Sequence, residues 1–166
     1  IESIQDLLLS VNSSIDVNDL GSVERNNLKQ RAISYINDSN NRISICIIDS
    51  TFIFGNKYSN FESNIKNELS QIGCIFTEEQ TSADWVITIY GQTEEYNVYK
   101  TANFTSYIVL ANVKLTMYKV SQGLFVFEKS FSEKGGHTQD FQQAAGEAYK
   151  YILPKIASII KEQIQL

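Results

Sequence analysis

The sequence predicts an α+β (α/β) fold: a mixed β-sheet containing a crossover β-α-β unit and a long antiparallel hairpin, with helices packed on the sheet. Three observations predict it. From Phe104 to Lys119 the apolar residues alternate, with Tyr107, Val109, Ala111, Val113, Leu115 and Met117 on one face and Ser106, Asn112, Lys114 and Thr116 on the other. After a break at Gly123, Leu124 to Phe131 resumes the alternation, placing Phe125, Phe127 and Phe131 on one side and Glu128 and Ser130 on the other. Beyond Gly135-Gly136 the period becomes helical: Phe141, Ala145, Ala148, Ile152, Ile156 and Ile159 step by three and four into one apolar stripe. A hairpin with one apolar face needs a cover, and this helix supplies it.

The 166 residues are 43% hydrophobic, enough to bury one core, so a single domain over 1–166 is expected. It divides into short N-terminal helices over 3–37, a β-α-β unit over 43–90, a hairpin over 103–132 and a C-terminal helix over 138–165. Ser3 and Asp6 suit a helix start, with Ile4, Leu7, Leu8 and Val11 as its apolar side. A second helix from Ser22 to Ile36 buries Leu28, Ala32, Tyr35 and Ile36, and the polar run Asn37-Asp38-Ser39-Asn40-Asn41 ends it.

Ile43 to Ile48 is apolar on both faces, as an interior strand is, with Asp49-Ser50-Thr51 and Phe52 to Asn56 forming its exit. Ser59-Asn60-Phe61-Glu62 has the capping-box pattern of a helix start. Phe61, Ile65, Leu69 and Ile72 give that helix its stripe, and Gly73 stands where a left-handed residue ends it. Cys74 to Thr77 is a short strand and Trp85 to Tyr90 the next. Strand, helix and strand joined by short links make a crossover, so the flanking strands run parallel. Gln92 to Ala102 is polar and is expected to be an exposed connection. Thr138 is the expected cap of the last helix, whose apolar phase continues across Pro154. The helix therefore passes through the proline, kinked by the lost hydrogen bond.

Charge excludes several partners. The chain carries 19 acidic and 14 basic residues, a net charge of −5, and lacks the basic face that nucleic acid requires. The same balance disfavours adsorption to anionic lipid. No run approaches the roughly 20 apolar residues of a membrane-spanning helix, so no transmembrane segment is expected. The chain begins at Ile1 rather than Met, so a mature or trimmed segment is expected, with any signal peptide or lipid-attachment site upstream of it. Cys46 and Cys74 sit in apolar surroundings without metal spacing and are expected to be buried free thiols rather than a disulfide.

His137 is the sole histidine, so no metal centre and no cofactor is expected. It follows Gly135-Gly136 and reads as an exposed loop residue, or as an imidazole presented at a helix start. Asp49 ends an apolar strand, where open α/β sheets often carry a functional carboxylate. Ser50 and Thr51 supply no second acid, so Asp49 is expected to bond its own turn. The aromatic set Tyr90, Tyr96, Tyr99, Phe104 and Tyr107 carries more weight, because tyrosine is a stiff, amphipathic recognition residue. Tyr96, Tyr99, Phe104 and His137 are the candidate binding residues; none is a candidate catalytic residue.

The segment Ser82-Ala83-Asp84-Trp85-Val86-Ile87-Thr88-Ile89-Tyr90-Gly91 resembles the alanine-aspartate-aromatic-valine…glycine strand of a group of bacterial envelope lipoprotein domains. That group includes the curli-secretion channel protein, the penicillin-binding-protein activators, a flagellar-ring assembly factor and the TolB amino-terminal domain. The later order is similar as well: a strand from Ala111 to Leu115, a turn at Gly123, a second strand, then a helix bearing Ala144, Ala145 and Ala148. The resemblance covers 43–165. It implies a non-enzymatic domain in the periplasm or at the outer membrane of a bacterium. Such a domain works through a protein partner, in the assembly or secretion of envelope structures. The competing expectation is a small-molecule or glycan-binding module, or a hydrolase, using the Asp49 loop or the Tyr96–Tyr107 region.

Overall fold

The computed structural model describes residues 42–164. The helices expected over 3–37 lie outside them, and so does the question of a single domain over 1–166. In chain order the elements are β1 (Ser44–Ile53), β2 (Asn56–Lys57), α1 (Asn60–Ser70), β3 (Ile75–Phe76), β4 (Trp85–Lys100), β5 (Thr105–Lys119), β6 (Leu124–His137) and α2 (Phe141–Ile164). The strands form one mixed sheet in the order β2-β1-β4-β5-β6, with β3 also beside β1. β1 runs parallel to β3 and β4, and β4, β5 and β6 follow one another antiparallel. This is the expected α+β fold, crossover and hairpin included.

Alternation divides the sheet into two faces. On the inner face lie Ile45, Ile53, Ile87, Ile89 and the odd-numbered β5 residues Val109 to Met117. They share one buried cluster with Phe61, Ile65 and Leu69 of α1 and with Ala144, Ala148, Ile152 and Ile156 of α2. Both described helices therefore cover the same face. Gly73 takes positive φ (84°) beyond α1, and the Cys74 amide bonds back to the Leu69 carbonyl. Helix α2 continues through Pro154, and its buried side extends past Ile159 to Ile160 and Ile164.

Several boundaries differ from expectation, each for a local physical reason. β4 does not stop at Tyr90; Gln92 to Lys100 continues it, paired with β5 down to Lys100 opposite Thr105. β1 likewise runs through Asp49-Ser50-Thr51 to Ile53 rather than exiting there. Ser59 makes no side-chain cap and is itself helical, and Glu62 pairs forward with Lys66 at 2.6 Å. Asp140, not Thr138, caps α2, its Oδ1 accepting from the Gln143 amide at 2.7 Å. An irregularity at Met117/Tyr118 sets Met117 opposite Phe127 and Tyr118 opposite Phe125. Phe125 is thereby turned away from the core and is 77% exposed, packed edge-on against Tyr118.

The hairpin also extends beyond 132: Gly135, Gly136 and His137 are strand, opposite Val109, Ile108 and Tyr107. Gly135 faces inward where α2 crosses. A Cβ there would stand 2.2 Å from both the Ala144 carbonyl oxygen and the Ala148 nitrogen. Gly136 faces outward, and the tightest contact of a Cβ there would be the Ile108 Cδ1, at 3.1 Å, with its other neighbours at 3.9 Å. Gly135→Ala is therefore expected to cost about 3 kcal/mol and lower the melting temperature by roughly 10 °C, because backbone must move. Gly136→Ala should cost under about 1 kcal/mol, because a flexible side chain can yield. Thermal melts followed by circular dichroism check the ranking; equal losses would show that helix and strand are not held this closely.

Candidate functional site

The outer face of the sheet carries the exposed aromatic residues. It presents Ile48 and Phe52 of β1; Val86, Thr88, Tyr90 and Gln92 of β4; Asn112, Lys114 and Thr116 of β5; and Ser130, Ser132 and Lys134 of β6. Neither α1 nor α2 lies on this face. Its end near Cys46 is closed by the segment before β4, where Cys46 Sγ lies 3.7 Å from the Glu78 carbonyl.

Tyr90, Tyr96, Tyr99 and Phe104 are each about half exposed. Tyr96 occupies the irregularity between Glu95 and Asn97, and Lys134 Nζ stands 3.6 Å from its ring centroid. That contact sets Tyr96 on the outer face. Tyr99 joins it there, opposite Ser106, and Phe104 stands in the turn that follows β4. The turn is closed by Thr101, whose amide and hydroxyl both bond the Phe104 carbonyl. Tyr96 and Tyr99 are thus borne on a hairpin arm, not on a loop.

Two hollows lined by described residues mark this face. One, of ≈ 320 Å³, is lined by Tyr90, Gln92, Asn112, Lys114, Ser130 and Ser132. Its polar groups are partly tied to one another: Ser132 Oγ donates to Asn112 Oδ1 at 2.8 Å, and Lys114 pairs with Glu128 at 3.0 Å. The other, of ≈ 460 Å³, lies between Ile48, Val86, Tyr118, Val120 and Phe125. The first hollow is not legible in the sequence, because its residues come from three strands. Their signal was the polar side of each period-two segment, which reads equally well as an ordinary wet face.

His137 is not brought to Tyr96 and Tyr99. It lies at the end of β6 on the inner face, opposite Tyr107, and its Nδ1 accepts from the Gln139 amide at 3.2 Å. The expected loop histidine is a strand residue held against its own turn.

Asp49 likewise stands mid-strand, opposite Ile89, with its side chain fully buried on the inner face. Lys57 pairs with it at 3.0 Å and also bonds its carbonyl, and Thr51 donates to Oδ2 at 3.1 Å. Its Oδ1 has no hydrogen-bond partner among the described residues. An interior carboxylate held by Lys57 is not a loop that could receive a ligand. Among the described residues no three His, Cys, Asp or Glu side chains are placed to hold a metal, and no helix is long and apolar enough to cross a membrane. Cys46 and Cys74 are buried free thiols, and burial pushes the thiol pKa of each up.

The residues that carry the lipoprotein resemblance have structural work. Asp84 Oδ2 accepts from the Ser44 amide at 2.7 Å and the Ser44 hydroxyl at 2.9 Å, fixing the start of β1 beside β4. Ala83 and Trp85 are buried. Gly91 leaves room for Tyr149 of α2, whose hydroxyl would lie 3.1 Å from a Cβ there. Tyr149 donates to the Phe52 carbonyl at 2.7 Å and stacks on Tyr58.

The chain matches no protein-family model and no curated protein. Among solved structures it is similar to a neuraminyllactose-binding hemagglutinin homologue from Helicobacter pylori, at 12% identity over 72% of this chain and 82% of that one, TM-score 0.49. It is similar to a minor lipoprotein from Acinetobacter baumannii at 13% identity, over 73% and 91% of the two chains, TM-score 0.48. A third is lipoprotein GNA1162 from Neisseria meningitidis, at 14% identity over 74% and 98%, TM-score 0.35. Two of these three neighbours are bacterial lipoproteins.

Burial pushes the Tyr149 phenol well up, its largest cause, with the bond to Phe52 working the other way. An unfolded tyrosine ionises near pH 10, so above about that pH unfolding releases a proton that the folded state holds. The Tyr149 contribution is complete below about pH 10 and is lost as pH rises beyond it. Tyr149→Phe is expected to cost about 1–2 kcal/mol at neutral pH, by orphaning the Phe52 carbonyl, and to lose stability less steeply in alkali. Urea unfolding across pH 8 to 11 measures both; parallel alkaline slopes for the two proteins would refute the buried phenol.

Proposed function

We propose that this is a non-enzymatic domain of the bacterial cell envelope, periplasmic or associated with the outer membrane, that binds a protein partner through the outer face of its sheet. A role in assembling or secreting envelope structures fits this reading. The observation that carries it is the alignment of Tyr90, Tyr96 and Tyr99, all half exposed, on one sheet face that neither described helix covers. Large, stiff aromatic side chains lose little entropy when a partner covers them, which is why such surfaces serve recognition. The envelope placement rests on the lipoprotein-like segment Ala83 to Gly91 and the order of elements after it.

A second reading is favoured by the ≈ 320 Å³ hollow: Tyr90 beside amides and hydroxyls of Gln92, Asn112, Ser130 and Ser132 is a lining that suits a hydroxyl-rich small molecule or glycan. Both readings use the outer face, and they differ in whether Tyr96 and Tyr99 are needed.

Replacing Tyr96 and Tyr99 together by Ala is expected to leave the melting temperature within about 3 °C, because the exposed lysine–ring contact is worth under about 1 kcal/mol. The same variant should lose most capture of envelope proteins by the immobilised chain, after cross-linking in an envelope extract. Unchanged capture would place the contact elsewhere. Loss of glycan binding in Tyr90→Ala, with protein capture intact, would favour the second reading.

A further inference from the structure

We propose that two copies of this chain pair antiparallel along the free edge of β6, joining their sheets about a twofold axis through Phe131. The proposal goes beyond the partner-binding reading and does not depend on it.

β6 is the last strand of the sheet: one side pairs with β5 and, among the described residues, the other side pairs with nothing. It is 14 residues long, and Leu124 to Val126, Glu128 to Ser130, Ser132 and Lys134 are exposed. A long unpaired edge is a template for another strand, and proteins that stay monomeric blunt it with charge, proline or a bulge. Here four charges stand on it, and their arrangement is specific. Glu128-Lys129-Ser130-Phe131-Ser132-Glu133-Lys134 is antisymmetric in charge about Phe131.

A twofold axis perpendicular to the sheet keeps each face on its own side, so opposed residues must share parity and the axis must pass through a residue. With the axis at Phe131, Lys129 opposes Glu133 of the second copy on the inner face. Glu128 opposes Lys134 of the second copy on the outer face. Each contact occurs twice. An axis at Ser130 or Ser132 pairs none of these charges with its opposite, and an axis at Glu128 sets glutamate against glutamate. Edge protection alone would need charge, but not this register.

The helix layer agrees. The same axis places both copies of α2 on one side of the joined sheet. Lys155 of α2 bonds Glu133, so this side of α2 faces the edge. Tyr151, one turn earlier on the same side, is more than half exposed and would stand at the seam.

The charge pattern supplies its own test by sedimentation of the 166-residue chain at low ionic strength, where ion pairs are least screened. The wild type is expected to show a monomer–dimer equilibrium. Lys129→Glu sets glutamates opposite one another twice, and Glu133→Lys does the same with lysines. Each variant alone should raise the dimer dissociation constant about tenfold or more. Mixed in equal amounts, the two variants are complementary at every pair and should associate about as tightly as the wild type. Lys134→Glu and Glu128→Lys form a second couple for the same mixing test on the other face, should either inner variant misfold. A wild type that stays monomeric at every concentration, a dimer indifferent to the single reversals, or a mixture no tighter than its components would each overturn the proposal.

Discussion

At Gly135 the backbone of β6 meets the backbone of α2 with no side chain between them, since a Cβ would lie 2.2 Å from two backbone atoms of the helix. Much else depends on that approach. A helix so close must present small residues to the sheet, and Ala144, Ala145 and Ala148 are fully buried along this stretch. One turn further in the packing, Gly91 performs the same service in β4, letting the ring of Tyr149 pass over the strand to reach the Phe52 carbonyl. The two glycines place the helix at the β6 end and at the β1 end of the sheet. Because Tyr149 also stacks on Tyr58 and meets Phe61 edge-on, α1 and the link that joins it to β2 are drawn into the same arrangement.

A helix layer committed to one face leaves the other to do something else. The inner face holds the oddities that elsewhere would suggest chemistry: the buried Asp49, the bonded His137 and the Tyr149 phenol with its raised pKa. All three are tied by internal partners, Lys57 and Thr51, the Gln139 amide, and the Phe52 carbonyl respectively. What remains available lies outward. Tyr90, Tyr96 and Tyr99 follow β4 from the sheet's centre to the end of its arm, and the hollows open between their neighbours. Burial explains the first set and exposure leaves the second set its capacity to bind.

The parts legible in the sequence are those where one face is buried along a whole element. β5 is the clearest case: its odd residues from Val109 to Met117 are all buried, so period two was visible without any knowledge of partners. The stripes of α1 and α2 are legible for the same reason. β4 beyond Gly91 is not, because most of its residues on either face are exposed and Glu94-Glu95-Tyr96-Asn97 has no apolar period to betray a strand. Asp49-Ser50-Thr51 hides the strand similarly: its polar letters read as an exit, yet Lys57 pairs with Asp49 and Thr51 donates to the Tyr58 carbonyl inside β1. The face of Phe125 is hidden from the sequence by one inserted residue, since the irregularity at Met117/Tyr118 reverses every side chain beyond it. Gly135-Gly136 looked like a turn because a glycine required by helix contact and one required by a loop are identical letters.

The same asymmetry governs the candidate surfaces. Exposure of Tyr96 and Tyr99 followed from polar surroundings, yet their common face followed only from the register of β4 on β5. The charges of β6 go one step further. As a string, Glu128 to Lys134 is an ordinary run of alternating sign, of the kind solvated strands carry. Strand order changes its meaning: in an interior strand these residues would answer to fixed neighbours on both sides, whereas at an edge they keep fixed neighbours, such as Lys114 and Lys155, on one side and face whatever arrives on the other. Only a second copy running antiparallel brings the same sequence reversed, and only then does antisymmetry about Phe131 become complementarity. Topology converts a composition into a register, and that conversion is why the edge could be interpreted from the fold but not from the sequence.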